Sequence, residues 1–582
     1  MKKSMAAVWL VMAWLCVAVA NAGEPSNGWN GLVDEYLDKV YFPQNPTAAT
    51  IDGVHRFDTE MEQYSMTGVE AEIRILHEYE TRVSQFPVKG MKPVEAADQE
   101  ILLGQIRSEL LTKETLRPLE KNPDVYSVGV TNSVYVLMSR KFAPPDERLR
   151  SVVARERKIP GILKEARENL KNPPRVYTAI AIEQLPGIIG FFEKDVPAAF
   201  ADAHEKELHT ELEESNSAVL AALKDYLSWL KTDLLARSNG DFRIGAENFS
   251  RKLRFEEMVD TPLDRLIEVG MADLRKNQAE FQRVAKEIDL KKTPAEVLKA
   301  LGAQHPAPDQ LLATFRGTFD GLIAFINQNK IITIPNGAKP IVQETPAFQR
   351  ATTTAAMDTP GPFETEAKES YFYVTLPGAG DSPAEVANLM SAFNIGTIVS
   401  TSTHETYPGH YLQYLWTDRA PTKLRKVFYA NTNAEGWAHY CEQMMLEEGY
   451  GQLGTGARNA LDAKYIHLGQ LQDALLRDAR FVVGIRMHTG TMSFEEANDF
   501  FVKEGYQSTK IAEIESKRGT SDPTYLYYTL GKLQILKLRE DYRKKLGPDF
   551  VLGKFHDEFM SQGEPPIAVV RQAMLGDNSP VL

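Results

Sequence analysis

The sequence is poor in cysteine: Cys16 and Cys441 are the only two in 582 residues. Cys16 falls inside an apolar run from Met5 to Ala20 that follows Lys2 and Lys3 and leads into Ala20-Asn21-Ala22 before Gly23. Those are the charged, apolar and small-residue parts of a secretory signal, with cleavage expected after Ala22. Ala13-Trp14-Leu15 ahead of Cys16 lacks the small residues of a lipoprotein cleavage box. A chain processed there keeps Cys441 alone, which excludes an internal disulfide and leaves packing to hold the fold. Beyond the leader no stretch is long and apolar enough to span a bilayer, and there is no internal repeat or low-complexity tract. Basic charge is also in short supply: 66 Lys and Arg face 79 Asp and Glu, a net charge of −13, with no basic stripe. Nucleic-acid binding rests on clustered cations that release counterions, so nucleic acid is not an expected partner. A soluble periplasmic or secreted protein is expected.

What the chain does have is apolar content, 43% hydrophobic residues over this length, enough for a large core or two adjoining ones. From Asn27 to about Glu120 the pattern is helical, with Leu32, Tyr36, Leu37 and Tyr41 recurring at three and four. Glu147 to Phe192 repeats it, broken at Ile159-Pro160-Gly161. Long amphipathic helices are expected around His204 to Leu230 and Thr261 to Ile288. His204-Glu205 with His209 imitates a metal motif, but it lies in a Glu- and Lys-rich run and reads as a solvated helix face. Between Thr333 and Gly380 six prolines interrupt Thr-rich segments and the helical period is lost. Glu369 to Thr375 alternates and is aromatic and β-branched, a strand by propensity. As an edge strand it would accept a peptide by strand addition; otherwise it merely covers the helical core. Helices resume at Ser382-Pro383, with Ser382 as N-cap.

Chemistry concentrates in Thr403-His404-Glu405-Thr406-Tyr407-Pro408-Gly409-His410. Two imidazoles can ligate a borderline-soft divalent ion, and a glutamate beside the first can take a proton from water. In the usual signature the histidines stand at i and i+4 on one helical face. Here they stand at i and i+6, a rotation of roughly 240° on an unbroken helix, which points the rings apart. Pro408 resolves this, because its ring would clash with the carbonyl of the residue four before it, His404. The helix must break between the histidines, and Gly409 tolerates the dihedrals required. His410 to Thr417 then continues helically.

The next helix is expected to open at Asn433 as N-cap. Trp437, Tyr440, Cys441, Met444 and Met445 mark its buried stripe. Glu435, His439 and Glu442 cluster on another face, which water could simply solvate. Glu435 nonetheless follows His410 by 25 residues on the next helix, the placement a third ligand needs. His439 and Glu442 read as partners that orient ligands, with His439 as a substitute ligand.

HETYPGH followed by EGWA resembles a large family of bacterial secreted proteins long labelled only as a domain of unknown function. It looks like a distant relative of the gluzincin metallopeptidases, including the carboxypeptidase Taq and oligopeptidase groups. The resemblance implies that His404, His410 and Glu435 hold zinc and that Glu405 is the general base. It implies a mainly α, two-lobed fold with a deep cleft and a small β-sheet near the metal. The N-terminal lobe would cover about 23–340 and the catalytic lobe about 341–582. Farther on, Arg477, Arg480, Arg486 and His488 share one segment, where the family usually has Asp at Gly484 and Gly at Arg486. Arg480 and His488, eight apart and nearly on one face, could bind a peptide carboxylate or a developing oxyanion; surface ion pairing is the plainer reading of the arginines. Tyr528-Thr529-Leu530-Gly531 resembles the family's Y-x-x-G, with Pro523-Thr524-Tyr525 in place of its Gly-Gln-Ala. Tyr528 is expected either to donate to the oxyanion or to fill the core. The expected activity is zinc-dependent hydrolysis of short peptides. A non-peptidase amide hydrolase and a catalytically inactive binding module are the alternatives.

Overall fold

A computed structural model describes residues 28–346, 350, 353–378 and 380–582, so the proposed leader lies outside the described residues. The chain is mainly helical, with helices from Gly28–Tyr36 to Ile567–Leu575 and a single small sheet among the described residues. No described helix is long and apolar enough to cross a membrane. The amphipathic runs fold as their periods require: Lys206–Trp229 and Leu263–Ile288 are helices of 24 and 26 residues. His204 and Glu205 precede the first of these and are exposed.

Apolar clusters tie distant segments together. One gathers residues from Tyr64 to Leu234. Another joins Trp29 to Leu110 with Leu424, Val427, Phe428 and Val569. A third surrounds the HETYPGH motif, running from Leu322 to Met574 and including Tyr407, Trp437, Tyr440, Cys441 and Met444. The expected apolar stripe of Trp437, Tyr440, Cys441, Met444 and Met445 is therefore buried.

The Pro-rich stretch supplies the sheet: β1 (Ile341–Glu344), β2 (Ala355–Asp358) and β3 (Tyr371–Val374). Their order is β1-β3-β2, with β3 parallel to β1 and antiparallel to β2. The aromatic strand is thus central rather than an edge, because Phe372 and Val374 point into a cluster with Phe315, Phe319 and Phe393. The outer strand beside the motif is β2. Its Met357 stands opposite Phe372 but sends its N–H outward to the Glu405 carboxylate, 2.9 Å away.

Two core histidines give the fold a sensitivity to acid. His556 donates from Nδ1 to the Ile331 carbonyl at 2.7 Å and accepts the Tyr440 hydroxyl at Nε2 at 2.8 Å. His488 donates to the Gly519 carbonyl and receives the Ile244 N–H. Burial pushes His556 down to about 3 and His488 down to about 4, from an ordinary 6.5. Both are neutral when folded, so below 6.5 the unfolded chain binds more protons. Their stabilisation is complete above pH 6.5 and is lost as pH falls through 4 and then 3. The melting temperature should therefore drop between pH 7 and 4, and a His556→Gln variant, though less stable at pH 7, should lose less over that interval.

Candidate metal centre

The helix carrying the motif, Ile395–Glu405, stops at Glu405, and a new helix, His410–Thr417, starts at the second histidine. Between them the Tyr407–Pro408 peptide is cis. The break turns the backbone back on itself: Gly409 N–H donates to the Thr403 carbonyl at 3.0 Å. A Cβ on Gly409 would lie 1.7 Å from the His404 carbonyl oxygen, so only glycine fits here. With the chain reversed, the two imidazoles converge, ring centres 4.8 Å apart and planes at 88°. The i and i+6 spacing is compatible with a shared ligand because the helix is broken, as the proline demanded.

Glu435 enters from the helix Asn431–Glu447. That helix starts two residues before the expected cap. Asn433 lies inside its first turn, turned to Gln413 and the Pro565 carbonyl. Capping comes instead from Glu257, whose carboxylate accepts the N–H groups of Asn431 and Thr432 and the Thr432 hydroxyl. A carboxylate at a helix N-terminus satisfies orphan donors and suits the dipole; its sequence distance kept it hidden. The Glu435 helix packs on Tyr527–Leu546 almost backbone to backbone. A Cβ on Gly436 would lie 2.5 Å from Gly531 Cα, and one on Gly531 would lie 1.9 Å from the Thr432 carbonyl. The glycines of EGWA and Y-x-x-G are thus one contact, and it delivers the Tyr528 hydroxyl to Glu435 Oε1 at 3.2 Å.

Glu435 Oε2 lies 3.3 Å from His404 Nε2 and 3.4 Å from His410 Nε2. It is buried and has no hydrogen-bond partner. Ligand atoms about 2.0–2.1 Å from an ion at tetrahedral angles stand about 3.3–3.4 Å apart. Three donors of nitrogen and oxygen type at that spacing fit zinc, with the fourth position open. Burial would raise the Glu435 carboxyl, but the adjacent His410 and His404 hold it well below the usual range. For His404 burial alone would lower the pKa; the neighbouring Glu435 and Glu442 carboxylates push it up to about 9.

Behind the donors stands a buried carboxylate. Glu442 accepts from His404 Nδ1 at 2.7 Å and pairs with Arg477 at 3.0 Å and His439 Nδ1 at 3.2 Å. The Nδ1 bond leaves His404 Nε2 aimed at the other donors. His439 points to Glu442 and is not among the convergent donors. On the face that water could have solvated, His439 and Glu442 are buried and Glu435 is half-buried. Burial, with the nearby Lys532 charge, pushes His439 down to about 3.

Two other expected site residues sit elsewhere. His488 has both nitrogens on backbone groups, packs edge-on against Phe242 and contacts no convergent donor. Arg480 is spent on Glu515 through Nε and Nη2 at 2.6 and 2.7 Å, and touches the site only through the Tyr528 ring below it. The sequence expectation for these two is corrected, because eight-residue spacing fixes a helix face but not what packs on it. Arg518 is the arginine that meets the Tyr528 hydroxyl, its Nη2 donating to it at 3.3 Å. Its only advance sign was the i, i+4 spacing to Asp522, a pair at 3.1 Å. Gly484 and Tyr525, two of the departures from the family pattern, are in contact: a Cβ on Gly484 would lie 2.9 Å from the Tyr525 ring.

A family model described as bacterial protein of unknown function (DUF885) matches residues 46–574. A solved structure from Shewanella oneidensis, provisionally described as a lipoprotein of unknown function, is 25% identical with a TM-score of 0.77. It covers 94% of this chain and 100% of its own. A second, from Colwellia psychrerythraea and also provisionally described as a lipoprotein, shares the fold at 18% identity and TM-score 0.77, covering 93% of this chain and 98% of its own. Among proteins with curated descriptions none matches the chain.

Substituting His404, His410 or Glu435 by Ala should abolish stoichiometric zinc in elemental analysis, whereas Glu405→Gln should retain it. Gly531→Ala must separate the two site helices, costing about 1–3 kcal/mol in chemical denaturation and weakening zinc in chelator competition.

Proposed function

The chain belongs to the DUF885 family of bacterial proteins of unknown function, and we propose that it is an exported zinc-dependent peptidase acting on short peptides. The observation that carries this is the convergence of His404 Nε2, His410 Nε2 and the orphaned Glu435 Oε2 beside a glutamate that is not itself one of the donors. The order of parts, with the base next to the first histidine and the third ligand on the following helix, also supports kinship with gluzincin metallopeptidases. Export is supported by the leader pattern and by the lipoprotein descriptions of the two similar structures.

Zinc bound there would lower the pKa of water toward about 7 and polarise a scissile carbonyl. Glu405 takes the proton of the attacking water and delivers it to the leaving amine. Its carboxylate is set for this by the Met357 N–H of β2. Tyr528 supplies an O–H donor for the oxyanion. Burial and the Glu435 charge raise its phenol pKa against the opposing arginines, so the proton stays on. The outer edge of β2 offers backbone groups to an extended substrate beside the base, the place that β3 cannot offer.

A cleft between two lobes is part of the proposal. Tyr429 is 66% exposed. Next to it a cavity of about 310 Å³ is lined by Glu109, Phe255, Glu257, Tyr429, Asn431 and Pro566. That volume is at the lower end for small-ligand sites, which suits a side chain of a short peptide.

Hydrolysis of a peptide library by the zinc-loaded protein tests the reading. Glu405→Gln should lower kcat by about 10²–10⁴-fold with zinc retained, and Tyr528→Phe by about 10²–10³-fold. Wild-type protein with full zinc that cleaves no peptide would refute it.

A further inference from the structure

We infer that Arg518 receives the free C-terminal carboxylate of the substrate, making this an enzyme that trims peptides from the C-terminus. The inference rests on the peptidase reading above and narrows its substrate class. Three arginines surround the Tyr528 ring, with guanidinium carbons 5.5, 5.0 and 5.8 Å from its centre for Arg477, Arg480 and Arg518. They differ in what they have left to offer. The Arg477 side chain is 12% exposed and paired with Glu442. The Arg480 side chain is 10% exposed, with two donors on Glu515. The Arg518 side chain keeps 35% of its surface accessible, and its partner Asp522 keeps 30%.

The fork of Arg518 is held along one edge. Nε and Nη2 both donate to Asp522 Oδ2, at 3.3 and 3.1 Å, and Nη2 also reaches the Tyr527 and Tyr528 hydroxyls. Tyr527 in turn donates to Asp522 at 3.0 Å. These contacts fix the guanidinium plane without using Nη1, which makes no hydrogen bond among the described residues. A guanidinium pinned on one edge, with donors spare, is built to take a second carboxylate.

Distance selects which carboxylate. Arg518 reaches the ligand Glu435 through two hydrogen bonds only, 3.3 Å to the Tyr528 hydroxyl and 3.2 Å from that hydroxyl to Glu435 Oε1. A peptide advances about 3.3–3.6 Å per residue. A carbonyl at the metal centre therefore places the terminal carboxylate at Arg518 when one or two residues follow the scissile bond. In the reaction water adds to the carbonyl carbon, the C–N bond breaks, and the proton taken by Glu405 leaves on the new amine of the released residue or dipeptide.

The test uses two matched tripeptide libraries, one with free carboxyl termini and one amidated, incubated with the zinc-loaded full-length Glu405→Gln protein. Retained peptides are read by mass spectrometry after ultrafiltration. Free acids should be retained at least about 10-fold better than amides. Arg518→Met in the same background should erase that preference by lowering the retention of free acids, and Arg518→Lys should restore part of it. In active protein Arg518→Met should raise KM for free acids more than for amides. Equal retention of acids and amides, or retention of neither, overturns the assignment, and this comparison does not depend on an Arg518 variant folding. Free acids that bind yet are never cleaved by wild type would leave this recognition standing and refute the hydrolytic reading instead.

Discussion

The backbone contact between Gly436 and Gly531 is the constraint on which the candidate site depends. Two helices that touch without intervening side chains share one coordinate frame, so Glu435 and Tyr528, one residue before and three before those glycines, have their separation fixed by main chain. Side-chain packing alone would set that distance only as well as rotamers allow. The motif helix is joined to the same frame from the other side through Glu442, which grips His404. Three of the five groups assigned to the chemistry, Glu435, Tyr528 and His404, are thus referenced to one helix, Asn431–Glu447.

That arrangement requires charges in the interior. Glu442 is fully buried with Arg477 and His439, and deeper still Lys532 pairs with Asp273 at 2.7 Å beside Asp478, itself held by Asn277 and Thr529. Buried ion pairs seldom add net stability over apolar packing, because desolvation offsets their attraction. Their use here is positional. A carboxylate with partners on both oxygens cannot rotate, and the imidazole it holds cannot either. Repulsion from Asp273 and burial raise Asp478, burial acting first, to about 7, so the inner cluster shares its protons rather than carrying full charge on every group.

Much of this was legible in the chain because it was local. Pro408 four residues after His404, the Ser382 cap, the apolar stripe through Trp437 and Met444, and the helical runs each depend on neighbours within a turn or two. What escaped was set by partners far away. The cap of the Glu435 helix is Glu257, the outer strand beside Glu405 is β2 and not the more strand-like β3, and Arg480 is neutralised by Glu515 on a different helix. Propensity made β3 the conspicuous strand, but its aromatic residues are what send it to the middle of the sheet. Arginine spacing predicted a shared face for Arg480 and His488, and nothing within that helix says that one meets a carboxylate and the other a backbone carbonyl.

The Glu257 cap also orders events in time. Thr432 waits for a carboxylate 175 residues upstream before the first turn of its helix is satisfied, and closing so long a loop is slow compared with forming a local helix. Synthesis delivers Glu257 first and Glu435 later. Glu435 therefore comes into register with the two histidines only after the N-terminal half has provided the surface on which its helix begins, so a partly folded chain presents a histidine pair without the carboxylate that converges on it.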